Sequence, residues 1–158
     1  MSKRREHIYQ PVVTWQGNLG QGTKNYQAYG RNHSISSPEK NELLVSSDPA
    51  FRGDPKLYNP EDLFVASLSG CHMLWYLHLC AEAGVVVESY VDRPLGVMVE
   101  GGGVPGSFAS ITLHPEVKIS AGDVDLAIRL HQKAHAECFI ANSVKIKIVV
   151  EPKIERSL

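Results

Sequence analysis

The sequence predicts an α+β domain with mainly antiparallel pairing. Strand-like segments come in clusters, two helix patterns interrupt them, and Gly-rich turns join neighbouring strands as in hairpins. The predicted order is βββ-α-ββ-α-β. A length of 158 residues fits one domain over residues 1–158, large enough to bury roughly 70% of its unfolded surface.

Pro11 to Gln16 reads as the first strand, followed by a turn over Gly17 to Gly22. Thr23 to Ile35 reads as its antiparallel partner, with Tyr26 and Ala28 alternating against polar residues. Glu42 to Ser46 is a short third strand, and Ser47 to Tyr58 a Pro- and Gly-containing loop. The first helix starts with Asn59 as N-cap and Pro60 at the first helical position. Glu61 and Asp62 suit the positive end of its dipole. It runs to about Ala83, with Gly84 as a left-handed cap. Val85 to Glu100 reads as strand interrupted near Arg93-Pro94, and Gly101 to Gly106 as a turn. That turn lacks the Lys-Ser/Thr ending of a phosphate loop and opens no helix. Ser107 to Ile119 returns as strand with Phe108, Ile111 and Leu113 as core candidates. Asp123 caps a second helix, Val124 to about Cys138. A last strand, Val144 to Val150, puts Val144, Ile146, Ile148 and Val150 on one face.

Composition narrows the function. Hydrophobic content of 43%, charged content of 21% and a net charge of −1 are ordinary for a globular protein and offer no basic surface for nucleic acid. Met1 to Tyr9 is charged and has no apolar signal core, so secretion is not expected. Three cysteines is an odd number and not a secreted disulfide framework, which points to the cytoplasm and to transient disulfides. Leu63 to Ala81 is apolar enough to resemble a membrane span. It carries His72 and His78 and has acidic flanks without a Lys or Arg anchor, so a core helix is expected and no membrane. A helix apolar on nearly every side must be covered all round, here by the second helix and by another copy of the chain.

The chemistry-bearing residues are cysteines. Cys71 shares its helix face with Ser67, Leu68, Leu74 and Trp75, and one turn further with Phe64 and His78: a thiol in an apolar wall. Cys138 ends the second helix, where the dipole disfavours a thiolate, so it suits a resolving rather than an attacking role. Either thiol can equally be a small core hydrophobe. Cys80, on a different part of the first helix, is expected to be one.

The segment Asn59-Pro60-Glu61-Asp62-Leu63 followed by Cys71, ten residues after Glu61, resembles the OsmC/Ohr family of thiol peroxidases. Ala134 to Phe139 resembles the context of that family's second cysteine, and the element order agrees over nearly the whole chain. The resemblance implies an OsmC-like fold in an intertwined homodimer with the active site at the interface. It implies a Cys71 oxidised by an organic hydroperoxide to a sulfenic acid, a Cys71–Cys138 disulfide, and a dithiol reductant that resets it. No further cofactor is implied. The family holds its thiolate with an arginine near the first hairpin, supported by the helix-start glutamate. The turn Gly17 to Gly22 has no arginine; the candidates are Arg52, whose loop leads into the helix, and Arg31. Glu61 lies about 15 Å along the helix axis from Cys71, so a glutamate acting there belongs to a second subunit or the arginine spans a long gap.

Two other readings compete. His131, His135 and Cys138, at i, i+4 and i+7, share a helix face and can bind zinc or copper, with Cys71 and His72 completing the set. Against this, the two imidazoles sit among Gln132, Lys133 and Glu137 and can simply be solvated. The third reading is a non-enzymatic binder of apolar ligands.

Overall fold

A computed structural model describes residues 5–157 and divides into two compact units, Met1–Leu63 and Phe64–Leu158. The α+β class is as the sequence predicts, with nine strands among the described residues.

The first unit holds an antiparallel sheet of β1 (Val12–Trp15), β2 (His33–Ser36) and β3 (Leu43–Val45), in that order. The expected long partner strand from Thr23 is not formed; regular pairing begins only at His33. Local turns win over the ladder. The Asn18 side chain accepts from the Gly20 and Gly22 amides, and Asn25 accepts from Gln27. A single bridge, Asn18 to Tyr29, spans the gap. Gly17 is required beside it: a Cβ there would lie 1.9 Å from the Gly30 carbonyl oxygen. A short 3-10 turn, Pro49–Phe51, is capped by Asp48, whose side chain accepts from the Ala50 amide.

Helix α1 (Pro60–Glu82) begins as the sequence predicts. The Asn59 side chain accepts from the Asp62 amide at 2.8 Å, and the Asp62 carboxylate accepts from the Asn59 amide at 3.2 Å. This reciprocal cap satisfies two donors that the helix itself cannot. Gly84 ends the helix in the left-handed region, φ +72°. Burial follows a stripe of Leu68, His72, Tyr76, Leu79 and Cys80. The helix is long and apolar enough to cross a bilayer by length and composition, yet this stripe lies inside the protein core.

The second unit has two three-stranded sheets. One is ordered β4 (Val86–Asp92), β7 (Pro115–Ala121), β9 (Lys153–Arg156); the other β5 (Leu95–Gly101), β6 (Val104–Leu113), β8 (Ile148–Val150). The β4/β7 and β5/β6 pairs are antiparallel, while β8 and β9 add in parallel. Each long strand of the sequence reading is thus divided, at Arg93-Pro94 and at His114. A proline follows each break and restricts the residue before it. Asp92 fixes the corner by accepting from the His114 amide at 2.7 Å. The final strand is shorter than Val144 to Val150, although all four alternating residues do pack on one core, and β9 after Pro152 was not anticipated.

Helix α2 (Val124–Glu137) is capped by Asp123, which accepts from the Leu126 amide. It buries Ala127, Leu130, His131 and Ala134. The last half of α1, α2 and β7 share one core; Leu68, Ile111 and Leu113 centre a second. A short helix, α3 (Phe139–Asn142), follows α2 directly.

Candidate functional site

The structure brings Cys71 and Cys138 together as neighbouring thiols; all three cysteines are unbonded to one another. Cys71 is half-buried and lines a groove of about 290 Å³ with Leu74, Trp75, His78 and Phe139. The groove is predominantly apolar. Trp75 makes edge contacts with Phe139 at 5.5 Å and with His78 at 5.9 Å. Of the wall expected from helix spacing, Leu74, Trp75 and His78 are in the groove. Leu68 and Phe64 belong instead to the second core, and Ser67 turns back to donate to the Phe64 carbonyl. Phe139 was not foreseen, because it comes from α3.

Cys138 is 1% exposed. It is the last cap of α2, as expected, and also the N-cap of α3, where its Sγ accepts from the Ala141 amide at 3.4 Å. Burial, with the Cys71 thiol beside it, nevertheless pushes its pKa up to about 11. Desolvation therefore outweighs the amide that favours the thiolate. At that value Cys138 holds its proton at neutral pH. Cys80 is buried in the first core, where burial also raises its pKa.

The arginine candidates differ. Arg31 is engaged within its own loop: its guanidinium lies 4.3 Å and 4.0 Å over the Tyr26 and Tyr29 rings and donates to both residues' carbonyls. Arg52 is exposed and takes a left-handed backbone conformation, φ +69°. Among the described residues it forms no ion pair, and Asp54 instead accepts from the Lys56 amide. Such a conformation costs a non-glycine residue about 1 kcal/mol or more and gathers at functional sites. Glu61 is in the first turn of α1, ten residues before Cys71.

The metal reading is corrected. Among the described residues no group of three His, Cys, Asp or Glu side chains could hold a metal ion. His131 is neither a ligand in such a set nor solvated: it is 1% exposed and hydrogen-bonded to His72, ring nitrogen to ring nitrogen, at 2.9 Å. Tyr76 stacks on its face at 3.7 Å. Burial lowers the pKa of His72 to about 4, helped by His135 and opposed by Asp92; burial and His72 lower that of His131 to about 3. Both are neutral at pH 7. The signal lay in the spacing: His131 continues the stripe Ala127-Leu130-Ala134-Cys138, and His72 the stripe Leu68-Tyr76-Cys80.

Comparison with known proteins bears on the family and the fold. The sequence profile described as "OsmC-like protein" matches residues 53–153. An OsmC-like protein of unknown function from Vibrio cholerae superposes with a TM-score of 0.85 at 30% identity, covering 93% of this chain and 99% of its own. A putative organic hydroperoxide resistance protein from the same organism, with captopril in one active site, gives a TM-score of 0.64 at 24% identity. It covers 96% of this chain and 95% of its own. The organic hydroperoxide resistance protein OsmC from Legionella pneumophila gives 0.64 at 16%, covering 95% and 99%. No curated protein matches the sequence. With a profile match over most of the chain and a 30% identical relative of nearly full coverage, the chain belongs to the OsmC-like family.

Proposed function

We propose that the protein is a thiol-dependent peroxidase that reduces organic hydroperoxides and so protects against oxidative stress. The observation that carries this reading is an accessible thiol in an apolar groove, Cys71, beside a buried, proton-holding thiol, Cys138. The Cys71 sulfur attacks the peroxide oxygen and the O–O bond breaks. The alkoxide leaves as alcohol with a proton, and Cys71 becomes a sulfenic acid. The Cys138 sulfur then attacks the Cys71 sulfur. The S–O bond breaks, hydroxide leaves as water with the Cys138 proton, and a disulfide forms. An external dithiol reduces it by two exchanges, which suits a reducing compartment such as the cytoplasm. Arg52, with Glu61, keeps the role of activating cation that the family resemblance gives it. Its exposure and strained backbone support it over Arg31, whose guanidinium is held by Tyr26 and Tyr29.

The groove makes the expected preference measurable. With a dithiol present, an alkyl or aryl hydroperoxide should exceed hydrogen peroxide in kcat/KM by at least about tenfold, since burying even two methylenes contributes about 1.6 kcal/mol. Equal rates would contradict the reading. Binding of the apolar compound without turnover would favour the non-enzymatic binder.

The reading includes a homodimer. Leu74 on α1 is 65% exposed, and the edge strand β5 exposes Leu95, Val97 and Val99. An apolar edge strand is usually covered, and closed two-fold pairs are the commonest assemblies. Light scattering at micromolar concentration should report twice the 17.4 kDa chain mass; a stable monomer would contradict this.

A further inference from the structure

The two helices that carry the cysteines are joined, among the described residues, by one side-chain hydrogen bond. It runs between His72 Nε2 and His131 Nδ1. We propose that this histidine pair is a positioning pin that sets the register of α2 against α1, keeps Cys138 against Cys71, and releases when both rings are protonated. The inference rests on the Cys71–Cys138 couple proposed above.

Otherwise the two helices share an apolar core, to which α2 brings Ala127, Leu130 and Ala134 and α1 brings Tyr76, Leu79 and Cys80. Apolar contact is non-directional and small residues slide easily, whereas a hydrogen bond at 2.9 Å fixes both distance and angle. The pin is close to both thiols in sequence. His72 follows Cys71 directly, and His131 is seven residues, or two turns, before Cys138. A slip of one residue is about 1.5 Å along either axis, while a disulfide accepts Cα separations only within about 4.4–6.8 Å. Stacking of Tyr76 on His131 at 3.7 Å and 13° holds the imidazole plane that the bond requires.

The same geometry makes the pin sensitive to protons. Among the described residues, His72 Nδ1 and His131 Nε2 have no hydrogen-bond partner, nor does the nearby Tyr90 hydroxyl. A first extra proton charges the pair but leaves one ring donating to the other. A second places two N–H groups face to face, and the bond between the helices is lost. The groups facing the pair are Tyr76 from α1, His135 from α2, and Tyr90 and Asp92 from β4. Asp92 favours the charged form of His72 and His135 opposes it. A surface groove of about 250 Å³, lined by Ile128, His131, Gln132, His135, Val150 and Pro152, gives solvent a path to His131.

The test is the reduction potential of the Cys71–Cys138 couple in glutathione buffers, which needs no peroxide. At neutral pH, His131→Ala should lower the effective concentration of the two thiols at least about tenfold, raising the potential by about 30 mV. His131→Asn, whose amide places a neutral polar atom where Nδ1 was, should restore it. As pH falls from 5 towards 3, the range in which the folded pair takes up its protons, with a selenol catalyst for equilibration, wild type should weaken relative to His131→Asn. Wild-type potential in a folded His131→Ala protein, no rescue by asparagine, or identical acid profiles would each overturn the pin. Should His131→Ala not fold, His72→Ala, with His72→Gln as its rescue, makes the comparison from the other helix. A wild type that forms the disulfide with diamide but not with an organic hydroperoxide would remove the peroxidase reading and leave the pin. One that forms it with neither oxidant overturns both.

Discussion

Cys71→Ser is expected to reduce hydroperoxide consumption to the uncatalysed background. A hydroxyl is a poor nucleophile at its own pKa, and no other thiol in the chain replaces Cys71. Cys138 is buried with its pKa raised to about 11, and Cys80 is buried in a core whose walls are apolar. Cys138→Ser should fail differently. It should consume one equivalent and stall at the sulfenic acid, then over-oxidise as more peroxide is added. Cys80→Ser should turn over at nearly the wild-type rate while costing about 1–3 kcal/mol of stability, because a hydroxyl replaces a buried thiol. The series is read by peroxide consumption and by intact mass. An inactive Cys80→Ser protein with an active Cys71→Ser protein would reverse the roles assigned here.

The second large effect is acid destabilisation. His72 and His131 have pKa values of about 4 and about 3 in the folded chain, against 6.5 when exposed. The unfolded chain therefore binds more protons than the folded one between these limits, and stability falls as pH falls. Their contribution is fully present above about pH 6.5 and is lost progressively down to about pH 3–4, on the order of a few kcal/mol. Urea midpoints measured from pH 7.5 to 4 should drop steeply in wild type. The slope should be shallower in the His72→Gln, His131→Gln double variant. Equal slopes would show that the pair does not titrate on unfolding.

Much of the fold was legible because its signals are local. The start of α1 needs only Asn59, Pro60 and two acids, and its end only a glycine; both are written within a few residues. The class follows from strand clustering. What the sequence concealed depends on contacts distant in the chain. Pro94 and Pro115 each mark a break, but their joint effect, one hairpin bent into two sheets at Asp92, appears only once the strands pair. The partner strand from Thr23 was overestimated because alternation looks alike whether or not Asn18 and Asn25 divert the backbone into turns.

For the site, helix periodicity placed Cys71 in an apolar wall, and the spacing from Glu61 pointed to the family. The wall was only partly right, because helix spacing lists the residues on a face without saying which of them the core takes. Phe139 could not be read as part of it, since a helix of four residues has no periodicity to detect. His131 was judged by its neighbours in sequence, Gln132 and Lys133, when its face of the helix decides its environment.

In the proposed function Cys71 and Cys138 act as one redox couple driven by organic hydroperoxide. Mass spectrometry of the wild-type protein after one equivalent of an organic hydroperoxide tests it most directly. The expected result is a loss of two hydrogens from the intact mass and a crosslinked peptide pair containing Cys71 and Cys138. An unchanged mass, or a disulfide that uses Cys80 instead, would contradict it.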